Sequence, residues 1–237
     1  MKNNRGFTLI ELIISMAVTA LLLAAVYLAV NSSQRHSTGI ERKVVAQQDA
    51  KSALNLMAME IAMASCNPNF ASNIWLEPPG SGTCGAVSTN PLRRGIQEAT
   101  TTSIAVEMDV RGNNDGDPED GDVGDPNEMI RYNYDAANRY ITRATSCGGG
   151  NQPFLGSTSA PRNVRVINGD LGIPVFRYYD GAGTEIASTG LPAGIPDIRR
   201  IEITLALETE GIDPNTGQRK RLIYSTSVIP RNHVISQ

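Results

Sequence analysis

Apolar residues run from Phe7 to Val30, in FTLIELIISMAVTALLLAAVYLAV, and Glu11 is the one charge among them. At about 1.5 Å per residue, that run is long enough for one helix to cross roughly 30 Å of bilayer hydrocarbon. The period then changes. From residue 31 to 65 there is no proline, and Val44, Ala50, Leu54, Met57, Ala58, Ile61 and Ala62 recur at three- and four-residue steps. Such a stripe predicts that the helix continues, amphipathic, to about Ser65, with Gly39 as a weak point or bend and the Met-rich stretch 57–63 as a core-facing seam.

Residues 67–91 break the pattern with Pro68, Pro78, Pro79 and Pro91 among glycines, and read as a connecting loop. Alternation follows. TSIAVEMDV (102–110), MIRYNYD (129–135) and RYITRA (139–144) predict strands, the last two joined across AANR as a hairpin. VFRYYD and TEIA, either side of GAG, predict a second hairpin. IEITLALE (201–208) puts Ile201, Ile203, Leu205 and Leu207 on one face, and RLIYSTSVI (221–229) is its antiparallel partner across GIDPNTGQ. The expected fold is α+β: one long helix packed on one antiparallel sheet.

Charge sets a direction. Lys2 and Arg5 precede the apolar run and no cation follows it until Arg35, so the positive-inside bias predicts a cytoplasmic N-terminus and an exported remainder. With 41% hydrophobic and 19% charged residues the chain has ordinary globular values. Its net charge of −3 gives no reason to expect nucleic-acid binding. Basic clusters at Arg93-Arg94, Arg199-Arg200 and 219–221 read as solvated surface charge.

Glu11 needs a reason, because a carboxylate at the centre of a spanning helix costs roughly 2.5–3.5 kcal/mol on insertion scales. A secretory signal carries its small-residue cleavage site after the apolar run, whereas here Gly6 stands before it. The string Gly6, Phe7, Thr8, Leu9, Ile10, Glu11 behind a short basic leader resembles the type IV prepilin signal. The resemblance implies cleavage by a prepilin peptidase between Gly6 and Phe7, N-methylation of Phe7, and a Glu11 carboxylate that neutralises the new amine during filament assembly. Removing Lys2 and Arg5 with the leader would leave a net charge of −5.

It also implies a division into leader (1–6), transmembrane half-helix (7–30), amphipathic half-helix (31–65) and β-rich head (66–237), anchored once in the inner membrane with a periplasmic head. The spine ending SALNLMAMEIAMASC, the acidic insertion before IRYNYDAANRYITR and the closing VIPRN are similar to PilW-type minor pilins. J-type minor pseudopilins of type II secretion share the layout. The expected role is a minor pilin in filament priming or at the tip, with other minor and major pilins or pseudopilins as partners. A secretion pseudopilin and a membrane-anchored binding domain are the alternatives.

The chemistry in the head is sparse. G-x-S-x-G, H-E-x-x-H and phosphate-loop motifs are absent, and His36 and His233 show no partner in sequence, so nothing favours an enzyme. The G-x-G-x-x-G at 80–85 follows two prolines and opens no helix, the wrong context for a dinucleotide. Cys66, Cys84 and Cys147 allow one disulfide and a spare thiol; Cys66–Cys84 closes a short loop, worth roughly 3 kcal/mol in chain entropy, but the other pairings stay open. From Asp109 to Glu128 the chain carries eight carboxylates and four glycines with hardly an apolar residue. A solvated hairpin tip explains this; so would a calcium loop, with Asp115, Asp117, Asp120 and Asp122 as ligands, although EF-hand spacing is absent because Arg111 falls at the first ligand position. No other cofactor is suggested.

Overall fold

In the computed structural model, which describes residues 8–77, 85–112, 118–146, 150–159, 163–191, 193–214 and 216–234, the apolar run and the amphipathic stretch form a single helix, α1 (Leu9–Ala62). It runs unbroken through the expected weak point. A Cβ on Gly39 would lie 3.2 Å from the Asp213 Oδ1, so the missing side chain serves a close approach by the head instead. The helix stops short of Ser65, which takes φ +66 and turns the chain out of the helix. Ser65 is held there by its N–H on the Glu107 carbonyl (2.9 Å) and by the Gly95 N–H on its hydroxyl (3.0 Å).

Two antiparallel sheets form where one was expected. The first is a meander, β1 (Ile96–Ala99), β2 (Ser103–Glu107), β3 (Met129–Asp135), β4 (Tyr140–Ala144) and β5 (Gln152–Leu155), each strand paired with the next. The predicted AANR hairpin is the β3–β4 turn, with Asp135 opposite Tyr140. After β5 the chain leaves the sheet at Gly156, whose φ of +78 and crowded surroundings (Arg139 O 3.2 Å and Val164 O 3.3 Å from a would-be Cβ) exclude a side chain. The second sheet contains β6 (Val164–Val166), β7 (Phe176–Tyr179), β8 (Arg200–Thr209) and β9 (Arg221–Val228), with a short helix α2 (Asn168–Leu171) after β6. β6 and β7 share one edge of β8, at opposite ends, while β9 pairs with the other edge from Ile201–Val228 to Glu208–Arg221.

The hairpin expected around GAG shrinks to one bridge between Tyr179 and Glu185. Asp180 explains it: its carboxylate takes the Ala182 and Thr184 N–H groups (2.9 and 2.8 Å), making a tight turn in place of a ladder.

α1 packs on both sheets through Ala46, Ala50, Ala53, Leu54, Met57 and Ile61, all buried. Alanines at the near end let the helix lie close to β8, whose Ile201, Ile203, Leu205 and Leu207 are all fully buried, as their alternation predicted. The helical stripe is narrower than predicted: Val44 is exposed, and of the methionines only Met57 enters the core, Met59 and Met63 pointing outward. At 3.6 residues per turn, residues 57, 59 and 63 cannot share a face.

The sequence reading missed a buried charge in this seam. Glu60, 4% exposed, accepts the Tyr132 hydroxyl on Oε2, the Arg143 Nε on the same oxygen (3.1 Å) and an Arg143 terminal nitrogen on Oε1. Tyr132 also packs edge-on against Phe154, ring centroids 5.1 Å apart. Burial, and then the Glu60 carboxylate, push the Tyr132 phenol far above its usual range, so it remains a donor. Arg143→Ala leaves Glu60 buried without its cation and is expected to cost about 3–5 kcal/mol, against about 1–3 for Tyr132→Phe. Replacing Glu60 and Arg143 together by methionine should recover most of the loss. Chemical denaturation of the detergent-solubilised chain measures all three, and an Arg143→Ala chain as stable as the parent would remove this clamp from the account.

Candidate functional site

Gly6 and Phe7 lie outside the described residues; the site begins at Thr8. Thr8 is extended (φ −81, ψ 152) and caps α1. Its N–H and hydroxyl both donate to Glu11 Oε2 at 2.9 Å, and its Oγ accepts the Glu11 N–H at 3.3 Å. This reciprocal capping box satisfies donors that the first turn of any helix leaves open. The charged residue in the apolar run is therefore the helix's own cap. Among the described residues Oε1 of Glu11 accepts nothing, so one carboxylate oxygen closes the helix and the other takes no part in the cap.

Beyond the cap, the residues of α1 up to Val30 are exposed, including Leu9 at 77% and Leu21 at 73%. Two hydroxyls inside the run are satisfied within the helix: that of Ser15 donates to Leu12 O (2.8 Å) and that of Thr19 to Ser15 O (2.7 Å). α1 is long and apolar enough to cross a membrane. The head leaves this half of the helix bare and grips only the half from Gly39 onward, where Arg42 donates to Ile212 O (2.6 Å).

The acidic insertion is fastened at its ends. Asp109 and Glu128 are fully buried. Glu128 takes the Val110, Arg111 and Asp125 N–H groups (2.8, 3.0 and 3.2 Å), and Asp109 takes the Gly121 N–H (3.1 Å). Of the predicted calcium ligands, Asp115 and Asp117 lie outside the described residues. Asp120 and Asp122 each cap a turn, on the Asp122 N–H (3.3 Å) and the Gly124 N–H (2.8 Å). Among the described residues no three metal-type side chains are placed to hold an ion. Cys66 is half-buried, and burial, followed by Asp109 and Glu119, pushes its thiol up; Cys84 and Cys147 lie outside the described residues. The basic run at 219–221 is tied into local pairs with Glu210, Asp213 and Glu208.

Two titratable groups close the far end of the head. His233, which has no partner legible in sequence, is buried with Nδ1 3.0 Å from the Ser65 hydroxyl and Nε2 2.9 Å from Ile195 O. Because Ser65 already accepts the Gly95 N–H, its own proton serves Nδ1, and the neutral ring with its proton on Nε2 satisfies every atom. Burial, with Arg199 and Arg94 nearby, lowers the His233 pKa. Glu107 is fully buried beside Gln97; its Oε2 accepts the Leu76 N–H (2.9 Å), while its Oε1 and the Gln97 Oε1 are buried acceptors without donors. Burial pushes the Glu107 carboxyl up to about 8, against the Leu76 N–H and the neighbouring Gln97 amide, so the buried group carries a proton at neutral pH.

The two groups act in opposite pH windows. His233, depressed when folded, contributes stability that is present above about pH 6.5 and lost below it. Glu107, raised when folded, contributes stability that is complete below pH 4.5 and lost as pH rises to about 8. Glu107→Gln is therefore expected to leave stability unchanged near pH 4 and raise it near pH 8.5. His233→Gln should flatten the decline below pH 6.5. Denaturant titrations across pH 4 to 9 check both, and parallel pH profiles for parent and variants would contradict the assignment.

Comparison with known proteins bears on the N-terminus most directly. Residues 1–27 match the model of the prokaryotic N-terminal methylation motif. A type IV-like pilin from Thermus thermophilus, 12% identical, aligns over 78% of this chain and 97% of its own with a TM-score of 0.42. No curated protein matches the chain. The motif match makes the chain type IV prepilin-like, and the α+β arrangement of a long N-terminal helix on antiparallel sheet stands on the structure itself.

Proposed function

We propose that this chain is a minor subunit of a type IV pilus, acting in filament priming or at the tip, and that the exposed half of α1 is its assembly surface. One observation carries the reading: a methylation-type N-terminus leads into a self-capped helix whose first half touches nothing in the head. An apolar surface of that length is stable only in lipid or against other helices. The chain is anchored once in the inner membrane, with the head in the periplasm, as the positions of Lys2, Arg5 and Arg35 favour.

Processing follows from the same residues. Cleavage after Gly6 frees the Phe7 amine four residues before Glu11, and the Glu11 carboxylate neutralises that amine or a neighbour's during assembly. Pairing makes a carboxylate tolerable in hydrocarbon. Residues 66–237 form a head suited to one place in a filament, because a bulky head is harder to repeat along a fibre than to set once at its end. Its work is assembly, and the partners are other pilin-type subunits and the prepilin peptidase.

Intact-mass measurement of the membrane form should give a chain that begins at methylated Phe7 with the span retained. A chain still carrying Met1 where the peptidase is active, or one cut after Val30, would overturn the reading. Glu11→Gln keeps an oxygen for the Thr8 N–H and so keeps the cap, yet removes the charge. It is expected to be inserted and cleaved but recovered with partner pilins at about a tenth of the parent level or less, as is Glu11→Ala. Normal recovery of both would mean that the charge has no part in assembly.

A further inference from the structure

β8 is paired on both edges, but β9 is paired on one. The Thr209 N–H bond to Lys220 O (2.9 Å) and the register together put Leu222, Tyr224, Thr226 and Val228 in bonded pairs with β8. The N–H and C=O groups of Arg221, Ile223, Ser225 and Ser227 consequently point the other way. All four residues are exposed, and among the described residues none of these groups has another backbone partner. The strand holds an unbroken register, without proline or bulge, and Arg221 is its only charge. Such a bare edge is ordinarily blunted. On the opposite side of the sheet the chain covers itself: the Val166 N–H reaches Arg139 O (2.9 Å) at β6, and the Ile186 N–H reaches Tyr178 O (2.8 Å) at β7.

We propose that the free edge of β9 is a docking strand, extended in the assembled state by an extended segment of a second, non-identical subunit anchored in the same membrane. The inference rests on the assembly reading above for that common anchoring. Direction selects the occupant. β9 begins after the loop in which Ile212 and Asp213 meet Arg42 and Gly39, and it leads to the turn where His233 meets Ser65, so it runs in the same sense as α1. Two copies joined antiparallel through β9 would point their α1 helices in opposite directions, which one membrane forbids. Two copies joined parallel as a symmetric pair through this same edge set outward groups against outward groups at equal heights, where a parallel ladder needs them staggered by one residue. A strand from a different subunit meets neither obstacle.

The faces of β9 state its chemistry. Leu222 and Tyr224 lie on the core side, partly buried against the cluster, and an added strand extends that apolar surface. Ser225 and Ser227 lie on the other side beside Thr204 and Glu202. The occupant therefore alternates apolar and polar residues, and carries a further acceptor where it passes Arg221, whose Nε is paired with Glu208 but whose side chain is exposed.

A benzophenone side chain placed at Ile223 or Ser227 of the full chain, in the native membrane, reads the edge directly. The same group at Val18 reports helix-to-helix assembly independently. Expected are adducts from Ile223 and Ser227 with a subunit other than this chain, at partner positions about four residues apart, which is the spacing of an extended ladder. Ser225→Pro removes one outward N–H and no backbone bond to β8, and Ser225→Ala, which gives up the same hydroxyl bonds to Thr204 and Glu202 but keeps the N–H, is its control. Ser225→Pro should cut the Ile223 adduct at least tenfold and leave the Val18 adduct unchanged. Val18 adducts with none from β9, β9 adducts with a second copy, or an Ile223 adduct indifferent to Ser225→Pro would overturn the docking strand and leave the assembly reading standing. Loss of Val18 and β9 adducts alike would overturn both.

Discussion

One buried carboxylate fixes how the head sits on its helix. Glu60 stands in a stripe that is otherwise alanine, leucine, methionine and isoleucine, and Arg143 and Tyr132 reach it from two adjacent strands of the first sheet. A buried ion pair adds little net stability over an apolar contact, since desolvation offsets most of the attraction. Its effect here is on uniqueness. Turning α1 by one residue rotates its faces by about 100° and would set the carboxylate against isoleucines, so only one rotation of the helix leaves the charge satisfied. With that rotation fixed, Ala46, Ala50 and Ala53 meet the sheets, and Gly39 and Arg42 meet the Ile212–Asp213 loop.

Two glutamates in one helix thus meet the same physical problem with different solutions. Glu11 sits where the helix begins, and the open N–H groups of the first turn satisfy it locally, through a neighbour three residues away. Glu60 sits within the helix, where backbone donors are already used, and must be satisfied from 72 and 83 residues away. The first solution leaves an oxygen free and suits a residue that takes a further partner on assembly. The second consumes both oxygens and suits a structural joint.

The acidic insertion is organised by the same rule. Among its described residues Asp120 and Asp122 cap turns, while Asp109 and Glu128 turn inward and bind backbone N–H groups, so that the ends are fastened to the strands before and after them. Burial and mutual repulsion raise both groups above the ordinary carboxylate range. Glu107 and His233, which meet at Ser65, then give the head opposing responses to acid.

The sequence by itself determined whatever local periodicity and local chemistry control. The apolar run, the amphipathic continuation, the buried face of β8, the AANR hairpin and the prepilin-like start are all legible because each depends on residues within a few positions of one another. A capping box is local too, and Thr8-x-x-Glu11 was there to be read. The division into two sheets was not legible, because it depends on where Gly156 turns the chain and on which strands share an edge of β8. Nor were Glu60 and His233, since nothing in MAMEIAMAS or PRNHV distinguishes a solvated polar residue from one that meets Arg143 or Ser65 across the fold. Burial is a property of the assembled core, and a charge becomes interior only when distant partners arrive to satisfy it.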